Sequence, residues 1–428
     1  MEILMELRLK KRYEQLVRTH MQVGNSVAAG VKSILNNDEA FNQTQAAWRF
    51  FNNDACSLQE LSQPLLKAAH ELSETECDNF ILMLHDWSTL GYNAHKSKKD
   101  TYNVFKACVG YDLQSSLAVS DRHGGPLALV AMNLKTKDET LSNYGENLEG
   151  LTHLEELSKR IGWIESQNFN KPLVHIVDRE ASSVAFMRTF KSKNWLIREN
   201  DNNIVNDGIS EKKIKDIAKN LSFSQARIVE YKGIPANQQI AETEIIITRP
   251  AKQKRKGPEG KRLSIVIKGE PVKARLIVSR VIDNLGNELS IWYLLSNMHD
   301  VPAATLALWY YWRWSVENYF KLMKSAGMQL ESWQQTTGLA IARRLLVASM
   351  ACVSVWRIAH ATGPKAGELR RVLVRLSGRQ MKRKVEFTYN ALLAGLWALL
   401  AMQDMLNNYN IEEIKSLLKD AVEEMGLV

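Results

Sequence analysis

Apolar positions over residues 1 to about 70 recur at helical spacing with few β-branched runs, which predicts a helical opening region. From about residue 75 the texture changes. Phe80 to Leu84 is an apolar run of strand length, and Ser115 to Val119 and Leu127 to Leu134 flank a turn-rich segment holding Gly124-Gly125, a hairpin pattern. Leu148 to Ile164 has a helical period, and Pro172 to Val177 and Trp195 to Arg198 read as buried strands. Between about 201 and 287, β-branched residues at Ile228-Val229, Glu244 to Thr248, Leu263 to Ile267 and Leu276 to Ile282 predict an antiparallel insertion. Strand character returns at Leu289 to Ser296, and one long helix is expected from about Ala303 to Ala326. The pattern from about 336 to 428 is helical again, broken at Gly363-Pro364. These shifts divide the chain into a helical region 1–70, an α/β part 71–200, the β-rich insertion 201–287, a second α/β part 288–335 and a helical region 336–428.

Composition narrows the field without naming a function. The chain has 428 residues, 45% of them hydrophobic and 24% charged, which excludes global disorder. Fifty-six Lys+Arg against 47 Asp+Glu give 56 − 47 = +9, a weak pointer to a polyanionic partner. Its distribution says more. Basic residues gather at Arg8, Lys10, Lys11, Arg12 and Arg18, at the proposed hairpin tip Lys252 to Arg262, and at Arg379, Lys382, Arg383 and Lys384. Four scattered cysteines (Cys56, Cys77, Cys108, Cys352) form no C-x-x-C pair and fit a reducing compartment. The first thirty residues do not read as a secretory signal. The most apolar stretches, Leu345 to Trp356 and Ala391 to Met402, are short of the roughly 20 residues that span a bilayer and are expected to be buried helices. No phosphate-loop motif implies ATP, and none of the nine histidines stands in a paired-ligand spacing. His85 is expected to make a strand-end hydrogen bond.

Chemistry concentrates on the helix 303–326. At about 100° per residue, Tyr310, Arg313, Glu317, Lys321 and Lys324 share one face, opposite Leu308, Trp312, Ser315, Tyr319 and Met323. A solvated surface laced with i,i+4 pairs such as Glu317 to Lys321 has the same pattern. Two carboxylates weigh against that reading. Asp86 and Asp178 each follow an apolar strand run, which places them at strand ends, where open α/β sheets put their ligands. Each alone is also a common turn or cap residue. Three converging carboxylates would suit Mg²⁺, which takes one or two carboxylates together with substrate phosphates.

The segments "FILMLHDWSTLGY", "VHIVDREASSVAFM" and "YYWRWSVENYFKLMKSAG" resemble the three catalytic blocks of bacterial cut-and-paste DDE transposases of the insertion-sequence-four group, which includes the transposase of transposon five. The most specific match is Tyr310-x2-Arg313-x3-Glu317-x6-Lys324. The blocks stand in family order, with 92 residues from Asp86 to Asp178, 139 from Asp178 to Glu317, and the β-rich insertion between the second and third. The resemblance spans roughly residues 20 to 405 and includes "AAWRFFNND", Ala46 to Asp54. The chain departs from it in a shorter N-terminal region, in Ser182, where the familiar block has a second acid, and in Trp87 after the first aspartate.

The resemblance implies an RNase H-like catalytic core, a mixed sheet flanked by helices, with Asp86, Asp178 and Glu317 as catalytic metal ligands for two Mg²⁺, or Mn²⁺ in their place. It also implies that Tyr310, Arg313, Lys321 and Lys324 hold transposon-end phosphates, and that Trp292 and Arg198 stand at a pocket for a flipped base. The expected activity is cleavage of both strands at terminal inverted repeats, through a hairpin, followed by joining to target double-stranded DNA. A homodimer in the bacterial cytoplasm, with no membrane segment and no ATP, completes the expectation. Two other readings remain: a catalytically silent DNA-binding relative that regulates transposition, and an RNase H-like nuclease that cuts without joining. The C-terminal apolar helices either form the dimer contact or pack on the core.

Overall fold

The computed structural model describes residues 5–22, 37–105, 107–145, 148–256, 262–324 and 327–424. Three helices open the chain: α1 (Leu7–Gln22), α2 (Asn37–Phe51) and α3 (Leu58–Glu76). A capping box starts α3, with the Glu60 N–H donating to the Ser57 hydroxyl and the Ser57 N–H to the Glu60 carboxylate. Then come β1 (Ile81–Gly91), β2 (Tyr102–Phe105), β3 (Cys108–Ser120), β4 (Pro126–Lys135), β5 (Thr140–Ser142), α4 (His153–Glu165), β6 (Leu173–Val177), α5 (Val184–Thr189) and β7 (Asn194–Arg198). A second capping box, Thr152 with Glu155, sets the start of α4 a turn later than the apolar period alone suggests.

The order β4-β3-β1-β6-β7, with β3 and β4 antiparallel and β1, β6 and β7 parallel, is the RNase H-like arrangement. Helices cover both faces, and alternation along β1 shows which lies where. Asp86 points toward the helix that carries Arg313. Its neighbours His85 and Trp87 point the other way: Trp87 stacks on His153 of α4, and His85 joins His175, which joins Glu165 at the end of α4.

The sheet does not stop at β7. The region 201–287 supplies β8 (Ile204–Asn206), β9 (Glu211–Lys213), α6 (Ile214–Ala218), β10 (Ser224–Tyr231), β11 (Ile234–Ile247), β12 (Ala251–Lys256), β13 (Arg262–Ile267) and β14 (Val272–Ile282), followed by β15 (Glu288–Ser296). Antiparallel pairing of β15 with β7 on one side and β14 on the other continues the sheet through β11, β8 and β9, so the insertion extends the core sheet. The ribbon β12-β13 stands apart as a two-stranded sheet. Its tip, residues 257–261 within the proposed basic hairpin, lies outside the described residues.

The remaining elements are α7 (Ala303–Tyr311), α8 (Trp314–Lys324), α9 (Gly338–His360), α10 (Pro364–Leu376), α11 (Tyr389–Asn408) and α12 (Ile411–Glu424). Four expectations need correction. The helix expected over 303–326 is two helices, because the ladder tightens at the junction to three-residue steps: the Arg313 N–H donates to the Tyr310 carbonyl, Ser315 to Trp312 and Val316 to Arg313. The strand expected to end at Leu84 runs to Gly91, because β3 pairs with every residue of β1 from Ile81 to Gly91. The apolar stretch around Leu345 to Trp356 is a buried helix as expected, but a longer one: it belongs to a helix of 23 residues, long and apolar enough to cross a membrane, and 83% of its apolar window is buried inside the protein. Only the first half of Ala391 to Met402 is buried; Met402, Met405 and Leu406 are exposed. The break at Gly363-Pro364 falls as expected, with Pro364 opening α10. All four cysteines are free.

Candidate active site

Asp86 sits inside β1, two residues past Leu84, the last to pair with β6, so beyond that point the parallel side of the strand is open. This corrects the expectation that it follows a strand end: the strand continues, but its parallel neighbour does not. Asp178 stands directly after β6 and caps the short 3-10 turn Arg179–Ala181, accepting from the Arg179 N–H at 2.7 Å. Glu317 lies in the first turn of α8. Three elements distant in sequence thus bring one carboxylate each to the open end of the parallel strands.

Arg313 ties them together. Its Nη1 donates to Asp86 Oδ2 at 3.0 Å, its Nη2 to Glu317 Oε1 at 2.9 Å, and the same Nη2 is 3.6 Å from Asp178 Oδ2. The Tyr310 hydroxyl donates to Asp178 Oδ1 at 3.1 Å. Arg198 Nη1 is 3.9 Å from that oxygen, and its guanidinium lies 5.9 Å from the Trp292 ring. Trp292 in turn meets Tyr310 edge to face at 5.5 Å and lies near-parallel to Tyr311 at 6.5 Å. Seven of the nine expected site residues therefore form one contact network. On the shared helix face, Tyr310 and Arg313 point inward and are buried, which is not the solvated surface laced with i,i+4 pairs. Lys321 is exposed and outside the network, and Lys324 donates to the Thr89 carbonyl and lies 3.6 Å from Glu331.

Electrostatics separates the two aspartates. Burial pushes Asp86 up to about 6, against the pull of Arg313 and the Trp87 N–H. Burial acts on Asp178 in the same direction, but the Arg179 N–H, Arg313, the Tyr310 hydroxyl and Arg198 outweigh it and hold that carboxyl below its usual range. Burial and the Asp178 charge raise Tyr310, which keeps its proton and acts as a donor. Burial works against the charge of Arg313, and Tyr310 with the three carboxylates more than offsets it.

Several supporting residues gave no sequence signal. Ser115 lies directly across the ladder from Asp86, fully buried, with a hydroxyl that has no partner among the described residues. His85 is not at a strand end: it is buried mid-strand between Ser116 at 2.8 Å and His175 at 2.9 Å, and burial lowers both imidazoles so that they stay neutral. Glu199, next to Arg198 and buried, accepts from the Ser182 hydroxyl, the Asn203 amide, the Asn200 N–H and Arg249. Ser182 stands where the resembled block has an acid, and a carboxylate reaches that spot from the neighbouring strand. An acid adjacent in sequence to a candidate site arginine is the one hint that could have found it.

The donor set suits a hard divalent cation, which prefers carboxylate oxygens. Its spacing, however, is set by a guanidinium: among the described residues no three His, Cys, Asp or Glu side chains are arranged to hold a metal as they stand.

No curated protein sequence matches the chain. Among solved structures, the electron cryo-microscopy structure of a piggyBac transposase synaptic complex with hairpin DNA superposes with a TM-score of 0.41 at 11% identity, covering 98% of this chain and 76% of that one, a loose likeness. The family described as Transposase DDE domain matches residues 81–354, well over half of the chain, from the first residue of β1 into α9. That span holds Asp86, Asp178 and Glu317, and the chain belongs to the transposase DDE domain family.

Proposed function

We propose that this protein is a cut-and-paste DNA transposase, similar to those of the insertion-sequence-four group, that cleaves both strands at terminal inverted repeats and joins the ends to target DNA. The observation that carries the reading is the convergence of Asp86, Asp178 and Glu317 on one guanidinium. In this reading the three carboxylates hold the divalent cations, Mg²⁺ with Mn²⁺ as substitute. Two such ions about 3.5–4 Å apart would stabilise the attacking and leaving oxygens of an in-line displacement at phosphorus. The chain's own residues bind and orient the strand. Arg313 offers a fork that matches two phosphate oxygens, and Lys321, exposed one turn beyond Glu317, adds a point charge. Tyr310 holds Asp178 by its hydroxyl and Trp292 by its ring, linking the acid to the aromatic surface. Trp292, with Arg198 at its face, is the stacking partner for a base extruded when a hairpin end forms.

Two surfaces support the rest of the proposal. A cleft of about 880 Å³ between α1 and α2 is lined by Arg8, Lys11, Arg12 and Arg49 with the half-exposed Trp48, a combination of cations and aromatic suited to end DNA. Met402, Met405, Leu406, Ile411, Leu417 and Leu418 leave an apolar surface on α11 and α12 that a second copy would cover in a synaptic dimer.

The test uses DNA from the inverted repeats flanking the gene. Replacing Asp86, Asp178 or Glu317 by Ala should abolish cleavage of end DNA with Mg²⁺ while binding persists. Retained cleavage in any of the three would sink the assignment. Resolving nicked, hairpinned and joined products on the wild-type chain distinguishes a transposase from a nuclease that cuts without joining.

A further inference from the structure

The oxygens proposed to hold cations are already occupied by a cation of the chain's own. Arg313, only 9% exposed, contacts Asp86 at 3.0 Å and Glu317 at 2.9 Å and approaches Asp178 at 3.6 Å. A divalent ion among the same oxygens would stand within a few ångströms of the guanidinium, where like charges repel strongly. The formal charge of the cluster is also reduced by it: three carboxylates with Arg313 and Arg198 sum to −1, and without Arg313 to −2.

The guanidinium has an alternative partner. A DNA phosphate presents two oxygens to the same fork that a carboxylate does. Arg313 projects from the tight turn between α7 and α8, flanked by Tyr311 and Trp314, which are 53% and 51% exposed. Exposed aromatics beside a site are stacking surfaces for nucleic acid and place the strand next to the arginine. The two aspartates have further anchors: Asp178 keeps Tyr310 and the Arg179 N–H, and Asp86 keeps the Trp87 N–H at 2.9 Å. Glu317, in the first turn of α8, is held by Arg313 from the turn just before that helix, four residues away.

We propose that Arg313 is a counter-ion latch: without DNA it occupies the three carboxylates and competes with divalent cations, and a backbone phosphate of bound DNA draws it off, so that metal loading follows DNA binding. The latch rests on the reading of the three acids as metal ligands. It restricts cleavage to complexes in which DNA is already seated, because the ions bind weakly until then.

Titrating Mn²⁺ into the full chain without DNA, with free ion read by electron paramagnetic resonance, tests it apart from activity. Arg313→Gln should bind Mn²⁺ about tenfold tighter than wild type or better. Adding Glu317→Gln to that variant should cancel the gain. Affinity that is unchanged or weaker in Arg313→Gln overturns the latch. In case that variant folds poorly, Arg313→Met removes the charge while keeping a long side chain, and Mn²⁺ should raise its Tm more than that of wild type; equal rises overturn the proposal. Adding inverted-repeat duplex to wild type should tighten Mn²⁺ binding beyond what the duplex binds alone, and the gain should shrink in Arg313→Gln. A wild-type chain that binds the duplex with no such gain overturns the release step. A chain that does not bind the duplex overturns the functional reading instead, and the DNA-free comparison still decides the latch.

Discussion

At the scale of single residues, the site is organised by partners rather than by the acids alone. Asp86 and Asp178 are the same residue type in the same cluster, yet burial wins at the first and hydrogen bonds win at the second. The difference comes from Tyr310, Arg198 and the Arg179 N–H, all of which attend Asp178. Glu199 shows the same logic one strand away. Its buried carboxylate joins the loop after Asp178, through Ser182, to the insertion, through Arg249. Glu199→Ala leaves Arg249 and two polar side chains without their acceptor, and should cost about 2 to 4 kcal/mol of stability in chemical denaturation. A loss below about 1 kcal/mol would mean that water replaces the carboxylate and that the tie is weak.

At the scale of elements, the junction between α7 and α8 decides where Arg313 points. The Trp312 ring packs on Gly124 in the β3–β4 turn so closely that a Cβ there would come within 2.5 Å of it, and the Ser315 hydroxyl donates to the Gly124 carbonyl at 2.8 Å. Gly124 also has φ of +71°, so a side chain adds backbone strain of about 1 to 2 kcal/mol before any clash. Gly150 provides the control, with the same φ and open space around it. Gly124→Ala should therefore destabilise more than Gly150→Ala and, by shifting the junction, slow end-DNA cleavage where Gly150→Ala does not. Equal cleavage rates for the two variants would show that the turn does not position the helix that carries Glu317. Much of this scale was legible in sequence: β4, β6, β7, β13 and the start of α10 fall where the apolar pattern put them. The helix break was not, because Tyr310 to Glu317 has an unbroken helical period and the contacts that meet the junction come from about 190 residues away, at Gly124.

At the scale of the whole molecule, the net charge of +9 matters less than where the basic residues are carried. The α1–α2 cleft alone offers Arg8, Lys11, Arg12 and Arg49. If each neutralises one phosphate, the logarithm of DNA affinity should fall with the logarithm of salt at a slope of about −4 or steeper, and replacing Arg8 and Lys11 by Ala should flatten it by about 2. An affinity nearly independent of salt would exclude a phosphate grip. The sequence by itself determined the three candidate acids, their order, and the α/β core between helical ends, because periodicity and motif spacing are local properties of the chain. Tertiary structure alone decided that the insertion continues the core sheet, that Lys324 is held by Thr89 and Glu331, and that Arg313 turns inward to the three acids. Those outcomes depend on strand pairing and packing between segments more than a hundred residues apart, which no local pattern encodes.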